Sequence, residues 1–145
     1  RTMGRAAAGV RGIRLGKDDH VVALSIVSKD ATLLVAGENG IGKRTDFDDY
    51  RVQSRGGKGI KTMKITKKTG KVVGGLTVHE GDEIMLITVG GQMVRTSVDG
   101  VRQTGRNAQG VRLVNVDDKD RLQDIAPVVS AEKEEEAAGE EEAEE

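Results

Sequence analysis

Apolar residues along this chain fall in short runs, often on alternate positions, and each run is closed by glycine, aspartate or lysine. Ile13-Arg14-Leu15 alternates, Gly16-Lys17-Asp18-Asp19 turns, and residues 21–27 read as a β-branched strand. Ser28-Lys29-Asp30 turns again before a strand over 32–36. Gly37-Glu38-Asn39-Gly40 signals a hairpin, since Asn-Gly accepts the positive φ of tight hairpin turns. The pattern then recurs. Met63-Lys64-Ile65 and the turn Lys67-Lys68-Thr69-Gly70 precede strands over 72–78 and 83–89, parted by Glu80-Gly81-Asp82 and followed by a turn at Gly90-Gly91. A third round has strands over 111–116 and 122–125 around Asp117-Asp118-Lys119-Asp120, with order expected to stop near Pro127. No capped apolar pattern of helical period occurs before residue 131, so the fold class is all-β.

The recurrence has a measurable period. Arg5-Ala6-Ala7-Ala8-Gly9-Val10-Arg11, Arg55-Gly56-Gly57-Lys58-Gly59-Ile60-Lys61 and Arg106-Asn107-Ala108-Gln109-Gly110-Val111-Arg112 each read basic, three residues, Gly, β-branched, basic. The unit glycines lie 50 and 51 residues apart, and Arg44 and Arg95 each precede theirs by fifteen. A period of about 50 residues with four short strands is the size of a propeller blade. The expected units are about 1–45, 46–96 and 97–129, making a partial β-pinwheel or propeller-like domain of four-stranded antiparallel blades. Two full units and a half cannot close a ring. The chain also opens inside the first signature, so it is expected to be the C-terminal piece of something longer, with an unsatisfied blade face or edge.

Composition changes the picture in two ways. With 145 residues, no Cys, no Trp, and Phe47 and Tyr50 as the sole aromatics, the core must be Val, Ile, Leu and Met. No disulfide framework or thiolate metal site is available, which fits a reducing cytoplasm, and no apolar run approaches the roughly 18 residues of a membrane span. The net charge of −1 hides a division: residues 131–145 hold nine Glu and one Lys, leaving 15 acidic and 22 basic residues elsewhere, a balance of +7. That balance points to a polyanionic partner. The Glu/Ala tract over 130–145 is expected to be a disordered tail that competes for the basic surface.

Other candidate chemistry is weaker. Gly37-Glu38-Asn39-Gly40-Ile41-Gly42-Lys43-Arg44-Thr45 nearly spells a phosphate-binding loop, but Arg44 stands where the magnesium-binding Ser or Thr belongs, and Phe47-Asp48-Asp49-Tyr50 does not begin a helix. His20 and His79 fall in non-equivalent parts of their units, and Asp18-Asp19 and Asp48-Asp49 read as turn residues, so no metal or acid–base cluster emerges. Tyr50 has Val101 as its repeat counterpart, which favours packing over nucleophilic catalysis. The glycines of the signature serve turns in any reading, and its cations recur in phase. A regular row of cations on a curved rim matches the regular phosphates of duplex DNA. The residues expected to touch phosphates are Arg5, Arg11, Lys43, Arg44, Arg55, Lys58, Lys61, Arg95, Arg106 and Arg112, with Gly56 and Gly57 letting backbone N–H groups come close. No base-reading constellation accompanies them.

Several ordered segments carry a family resemblance: Gly4-Arg5-Ala6-Ala7-Ala8-Gly9-Val10-Arg11-Gly12-Ile13-Arg14-Leu15, Gly40-Ile41-Gly42-Lys43-Arg44-Thr45, Val94-Arg95-Thr96 and Gly105-Arg106-Asn107-Ala108-Gln109-Gly110-Val111. Together they resemble the C-terminal domain of the bacterial DNA gyrase A-subunit from the first residue to about Val129. The resemblance implies a β-pinwheel, a propeller-like disc of about six blades whose neighbouring repeats exchange strands. It also implies wrapping of duplex DNA beside a cleavage site, so that strand passage introduces negative supercoils. The implied partners are the remainder of the gyrase A-subunit and the gyrase B-subunit, in an A2B2 parent at the bacterial nucleoid. ATP and Mg2+ would enter through that parent, with no catalytic residue, metal or cofactor in this chain. The family's wrapping box reads Gln-Arg-Arg-Gly-Gly-Lys-Gly; Gln53, Arg55, Gly56, Gly57, Lys58 and Gly59 match it, and Ser54 replaces an arginine. It stands about ninety residues from the C-terminus and reads as a box-like copy in a late blade. The rivals are the paralogous topoisomerase IV domain, in which the box is degenerate, and a propeller used as a protein-docking scaffold.

Overall fold

The computed structural model describes residues 1–128; the tail expected to be disordered lies outside them. Seven strands form two antiparallel sheets: β1 (Thr32–Gly37), β2 (Ile41–Asp46), β3 (Val72–Val78), β4 (Glu83–Thr88), β5 (Met93–Ser97), β6 (Val111–Arg112) and β7 (Leu122–Val128). The first sheet runs β3-β1-β2-β6 and the second β5-β4-β7. Each is built on a hairpin, β1–β2 with Leu34 opposite Arg44, and β4–β5 with Met85 opposite Arg95. Each hairpin takes its third strand from further down the chain. β3 runs directly into β4 in sequence, yet pairs with β1; β7 pairs with β4 in the same way. Both junctions carry a register shift, between Ala36 and Gly37 and between Ile87 and Thr88, 51 residues apart. Neighbouring repeats therefore exchange strands.

Local chemistry ends each hairpin alike. The side chains of Asp46 and Ser97 accept from Asp48 N and Asp99 N, capping single 3-10 turns at Phe47–Asp49 and Val98–Gly100. No helix start was expected at Phe47; one tight turn forms there because an aspartate precedes it. Tyr50 closes the first of these turns and its hydroxyl meets Thr62 Oγ1, while Val101, its counterpart, is buried. The β1–β2 turn uses positive φ at Gly40 (81°) alone, not at Asn39, and Gly40 N donates to Gly37 O at 3.1 Å.

The main core lies between the sheets: Leu34 and Ala36 of β1 meet Ile84 and Leu86 of β4, closed by Val78, Val98, Val101, Leu122 and Ile125. On the far face of the first sheet Val35, Ile41 and Met63 form a smaller cluster with Leu33 and Val72. β1 is thus covered on both sides. This explains its continuous apolar run, as against the strict alternation of a half-buried strand.

Four expectations differ from the structure. Residues 21–27 form no strand: Leu24 is 94% and Ile26 86% exposed, and the segment touches β3 through Ser25 Oγ to Gly75 O and Thr77 Oγ1 to Ile26 O. Their counterpart 51 residues on is β3, which finds its partner in the preceding hairpin; among the described residues no hairpin precedes residue 21. Met63-Lys64-Ile65 likewise forms no ladder, although Met63 is buried. β6 stops after two residues because the chain turns onto the hairpin tip, where Gly40 O accepts from Leu113 N at 2.7 Å. β7, by contrast, runs through Pro127 to Val128, which an edge strand tolerates.

Candidate nucleic-acid interface

The three basic–glycine signatures lie side by side. Their unit glycines Gly9, Gly59 and Gly110 all take positive φ (82°, 79° and 101°), so the chain makes the same bend at each. The first and second are joined by backbone: Gly56 N donates to Gly12 O at 2.9 Å, Arg14 N donates to Gly57 O at 2.8 Å, and Ile13 bridges Gly57 in parallel. The second and third are joined by side chains. Arg106 Nη1 donates to Lys61 O at 3.0 Å, and Gln109 Nε2 to Thr66 Oγ1 at 2.8 Å. The order in space is therefore first, second, third, as in the chain.

Along this row Arg5, Arg11, Arg55, Lys58, Lys61 and Arg112 are exposed, and none has a carboxylate partner among the described residues. Gly57 is exposed beside Arg55 and Lys58. Arg106 is half-buried at the junction of the second and third segments.

Four of the expected phosphate-contacting groups are placed differently. Lys43 is 1% exposed, and its Nζ donates to Gly105 O (3.0 Å), Arg106 O (2.5 Å) and Ala108 O (3.0 Å). Burial holds its pKa below the ordinary lysine value, the Arg106 charge pushes the same way, and Asp49 opposes them. Arg44 is 6% exposed; Nε donates to Val101 O at 2.8 Å and Nη1 pairs with Glu80 at 3.0 Å. Lys43 and Arg44 thus face inward and hold the chain over 101–108. Arg95 is at the surface but paired with Glu83. The Gly56 N–H is already spent on Gly12 O and is not free for a phosphate. One signal for Lys43 was present in the sequence: its counterpart 51 residues on is Val94, and a position shared by Lys and Val points inward.

The near-miss phosphate loop is a hairpin. Residues 41–46 continue as β2, and the Lys43 ammonium is directed at carbonyls inside the protein. His79 Nδ1 lies 3.8 Å from Asp82 Oδ2, beyond hydrogen-bond reach, with Nε2 at 3.3 Å from Ser28 Oγ. Among the described residues no group of three or more His, Cys, Asp or Glu could hold a metal ion, and no helix is long and apolar enough to cross a membrane.

A hairpin completed by a strand from the next repeat, recurring at 51 residues around a shared core, is the blade unit of a propeller-type domain. The chain belongs to the DNA gyrase C-terminal domain, β-propeller family, whose pattern matches residues 1–28, 31–79 and 82–128. Similar proteins include the DNA gyrase A-subunit of Streptomyces coelicolor, 44% identical over 126 residues, covering 87% of this chain and 15% of that protein. The DNA gyrase A-subunit of Helicobacter pylori strain 26695 is 46% identical over 121 residues, covering 82% and 15%. The chain thus spans about 15% of the length of these relatives. Among solved structures, a DNA gyrase A C-terminal domain superposes with a TM-score of 0.67 at 32% identity, over 71% of this chain and 35% of the other. The C-terminal domain of DNA topoisomerase IV gives 0.79 at 23% identity over 94% and 43%, a likeness of fold.

Proposed function

We propose that this domain binds duplex DNA without sequence preference and bends it along the row of basic–glycine segments. The observation that carries the reading is the continuity of that row. Three signatures, 50 and 51 residues apart in sequence, are stitched edge to edge and present six exposed cations with no carboxylate partner among the described residues. Cations in a row can follow a phosphate backbone, and the absence of a base-reading set leaves affinity to charge and shape. Bending a duplex by 40–90° costs on the order of 1–6 kcal/mol, which several charge-assisted phosphate contacts can offset.

Membership of the family extends the proposal to the whole protein. The domain would serve an ATP-dependent type II topoisomerase, DNA gyrase, by wrapping the segment beside the cleavage site so that strand passage yields negative supercoils. The remainder of the gyrase A-subunit and the gyrase B-subunit would be its partners, with ATP and Mg2+ acting there. Box-matching residues Gln53, Arg55, Gly56, Gly57, Lys58 and Gly59 favour this over topoisomerase IV. The test is duplex affinity against salt, with ligation of nicked circles on the protein to read wrapping. Log affinity should fall with log salt at about −0.9 per phosphate neutralised, and the circles should close with altered linking number. A flat salt response, or preference for one sequence, rejects the reading.

A further inference from the structure

At the end of the β1–β2 hairpin away from its turn, a cavity of about 550 Å³ opens beside the facing pair Thr32 and Asp46. Its lining holds four carboxylates, those of Asp30, Asp46, Asp48 and Glu80, against one cation, Lys29. This surplus stands out in a chain that carries +7 outside residues 131–145. Two observations set the cavity apart from a solvated acidic patch. Facing residues of an antiparallel pair share one side of the sheet, so the Thr32 hydroxyl lies on the same side as the Asp46 carboxylate, toward the cavity that both line. Thr32 is only 8% exposed, yet its Oγ1 has no hydrogen-bond partner among the described residues, where a buried hydroxyl ordinarily finds one. Asp30 takes a positive φ of 56°, and its counterpart 51 residues on is Gly81, at 80°. A carboxylate thus stands at the cavity where the next repeat uses glycine.

We propose that this cavity binds a linear aliphatic polyamine, whose ammonium groups pair with Asp30, Asp46, Asp48 and Glu80 and give Thr32 Oγ1 its missing donor. The spread of the carboxylates selects this ligand. Among the described residues no three His, Cys, Asp or Glu are grouped so as to hold a metal ion, which needs its oxygens at about 2.0–2.6 Å. A flexible chain sets its charges several bonds apart, so each carboxylate meets its own, and linkage lets individually weak ion pairs act together. Glu80 already pairs with Arg44 through Oε1 at 3.0 Å, but its side chain is 73% exposed and open to a second cation. The cavity is separate from the basic row. The third signature meets β2 at Ile41 and Gly42, whereas the cavity lies at Asp46, so a cation bound there leaves the row open to phosphates. The inference goes beyond duplex binding and does not depend on it.

The experiment titrates the whole 145-residue chain, labelled with 15N, with spermidine in the absence of DNA and at fixed ionic strength. The amides of Asp30, Thr32 and Asp48 should shift and saturate together, whatever looser pairing the glutamates of 131–145 make with the same ligand. Mg2+ and Nα-acetyl-lysine amide, titrated separately, should bind there at least about tenfold more weakly. Equal binding of Mg2+ would make the cavity a site for any cation. Equal binding of the lysine amide would mean that one alkylammonium suffices, as on a lysine of another protein. Either result overturns the polyamine, as do shifts confined to 131–145. Asp30→Asn with Asp48→Asn keeps a residue that tolerates the left-handed turn and should weaken spermidine about tenfold. Asp117→Asn with Asp118→Asn removes the same charge at another turn and should leave it unchanged. Equal losses reduce the effect to net charge and overturn the site. If the first variant does not fold, the three titrations of the unmodified chain still decide it.

Discussion

Arg44 and Arg95 stand at the same place in successive hairpins, 51 residues apart, opposite Leu34 and Met85 respectively, yet only Arg44 is buried. The difference comes from what crosses the outer edge of each hairpin. Over β2 the chain returns at Gln103 and Thr104, and Thr104 N donates to Arg44 O at 2.8 Å. Over β5 nothing returns among the described residues, so Arg95 remains at the surface and meets Glu83 on its own hairpin. Arg44→Ala leaves Val101 O without its donor and should cost about 1–3 kcal/mol in urea unfolding, whereas Arg95→Ala should cost less than about 1 kcal/mol. Equal losses would mean that the covering segment contributes nothing to the burial of Arg44.

The exposed pair Arg55 and Lys58 flanks Gly57 in the row, while Lys67 and Lys68 sit at a turn whose first-unit counterpart has no matching pair. Replacing Arg55 and Lys58 by Ala should weaken duplex binding and lower the salt slope by up to roughly two contacts, with the fold retained. Replacing Lys67 and Lys68 removes the same charge and should cost less. Equal losses would reduce the interface to net charge alone.

Gly110 and Gly91 both have positive φ, 101° and 91°, but a Cβ on Gly110 would stand 2.5 Å from Gly42 O, whereas Gly91 has open space. Gly91→Ala should cost only its backbone strain, on the order of 1–3 kcal/mol. Gly110→Ala should cost more, because it also forces β6 from β2. Loss of protection at the Val111 and Arg112 amides in hydrogen exchange would show it.

Two carboxylates, exposed Asp99 and half-buried Asp120, should mark the acid limb of stability. Asp99 is held below the ordinary aspartate value first by the Gly81 N–H, and Asp120 first by Thr88 and then by the Gly90 N–H. As pH falls, the unfolded chain takes up protons at these sites first. Their stabilisation is therefore present above the unfolded value and is lost as pH falls through the folded ones. Lys43 has a consequence of the same sign at high pH. Its folded value lies below 10.5, so between the two the unfolded chain holds more protons and this contribution to stability rises with pH. Side-chain NMR titration of Asp99, Asp120 and the Lys43 ammonium checks all three directions.

Nine tethered glutamates at 131–145 are a high local concentration of competing anion. Deleting them should tighten duplex binding, most visibly at low salt, where screening is weakest. Unchanged affinity at low salt would rule out competition for the basic row.

Much of the architecture was legible because it is periodic. The strands over 72–78 and around residues 32 and 83, and the turns at Gly40, Gly81 and Gly91, follow from local apolar runs and turn residues recurring at about 51 positions, and β3 begins and ends where the pattern placed it. The basic–glycine row was legible for the same reason, since equal phase puts equivalent residues in equivalent places. What the pattern could not supply was partnership. Residues 21–27 are as β-branched as β3, but a strand needs another backbone for its N–H and C=O groups, and only β3 has a hairpin to receive it. Lys43, Arg44 and Arg95 read as equal cations in one dimension. Whether a charge meets water or a ring of carbonyls depends on which distant segment folds over it, and here residues 101–108 return across β2 and have no equivalent over β5 among the described residues. Burial is a property of pairs of segments, so only the tertiary structure could separate Arg44 from Arg95.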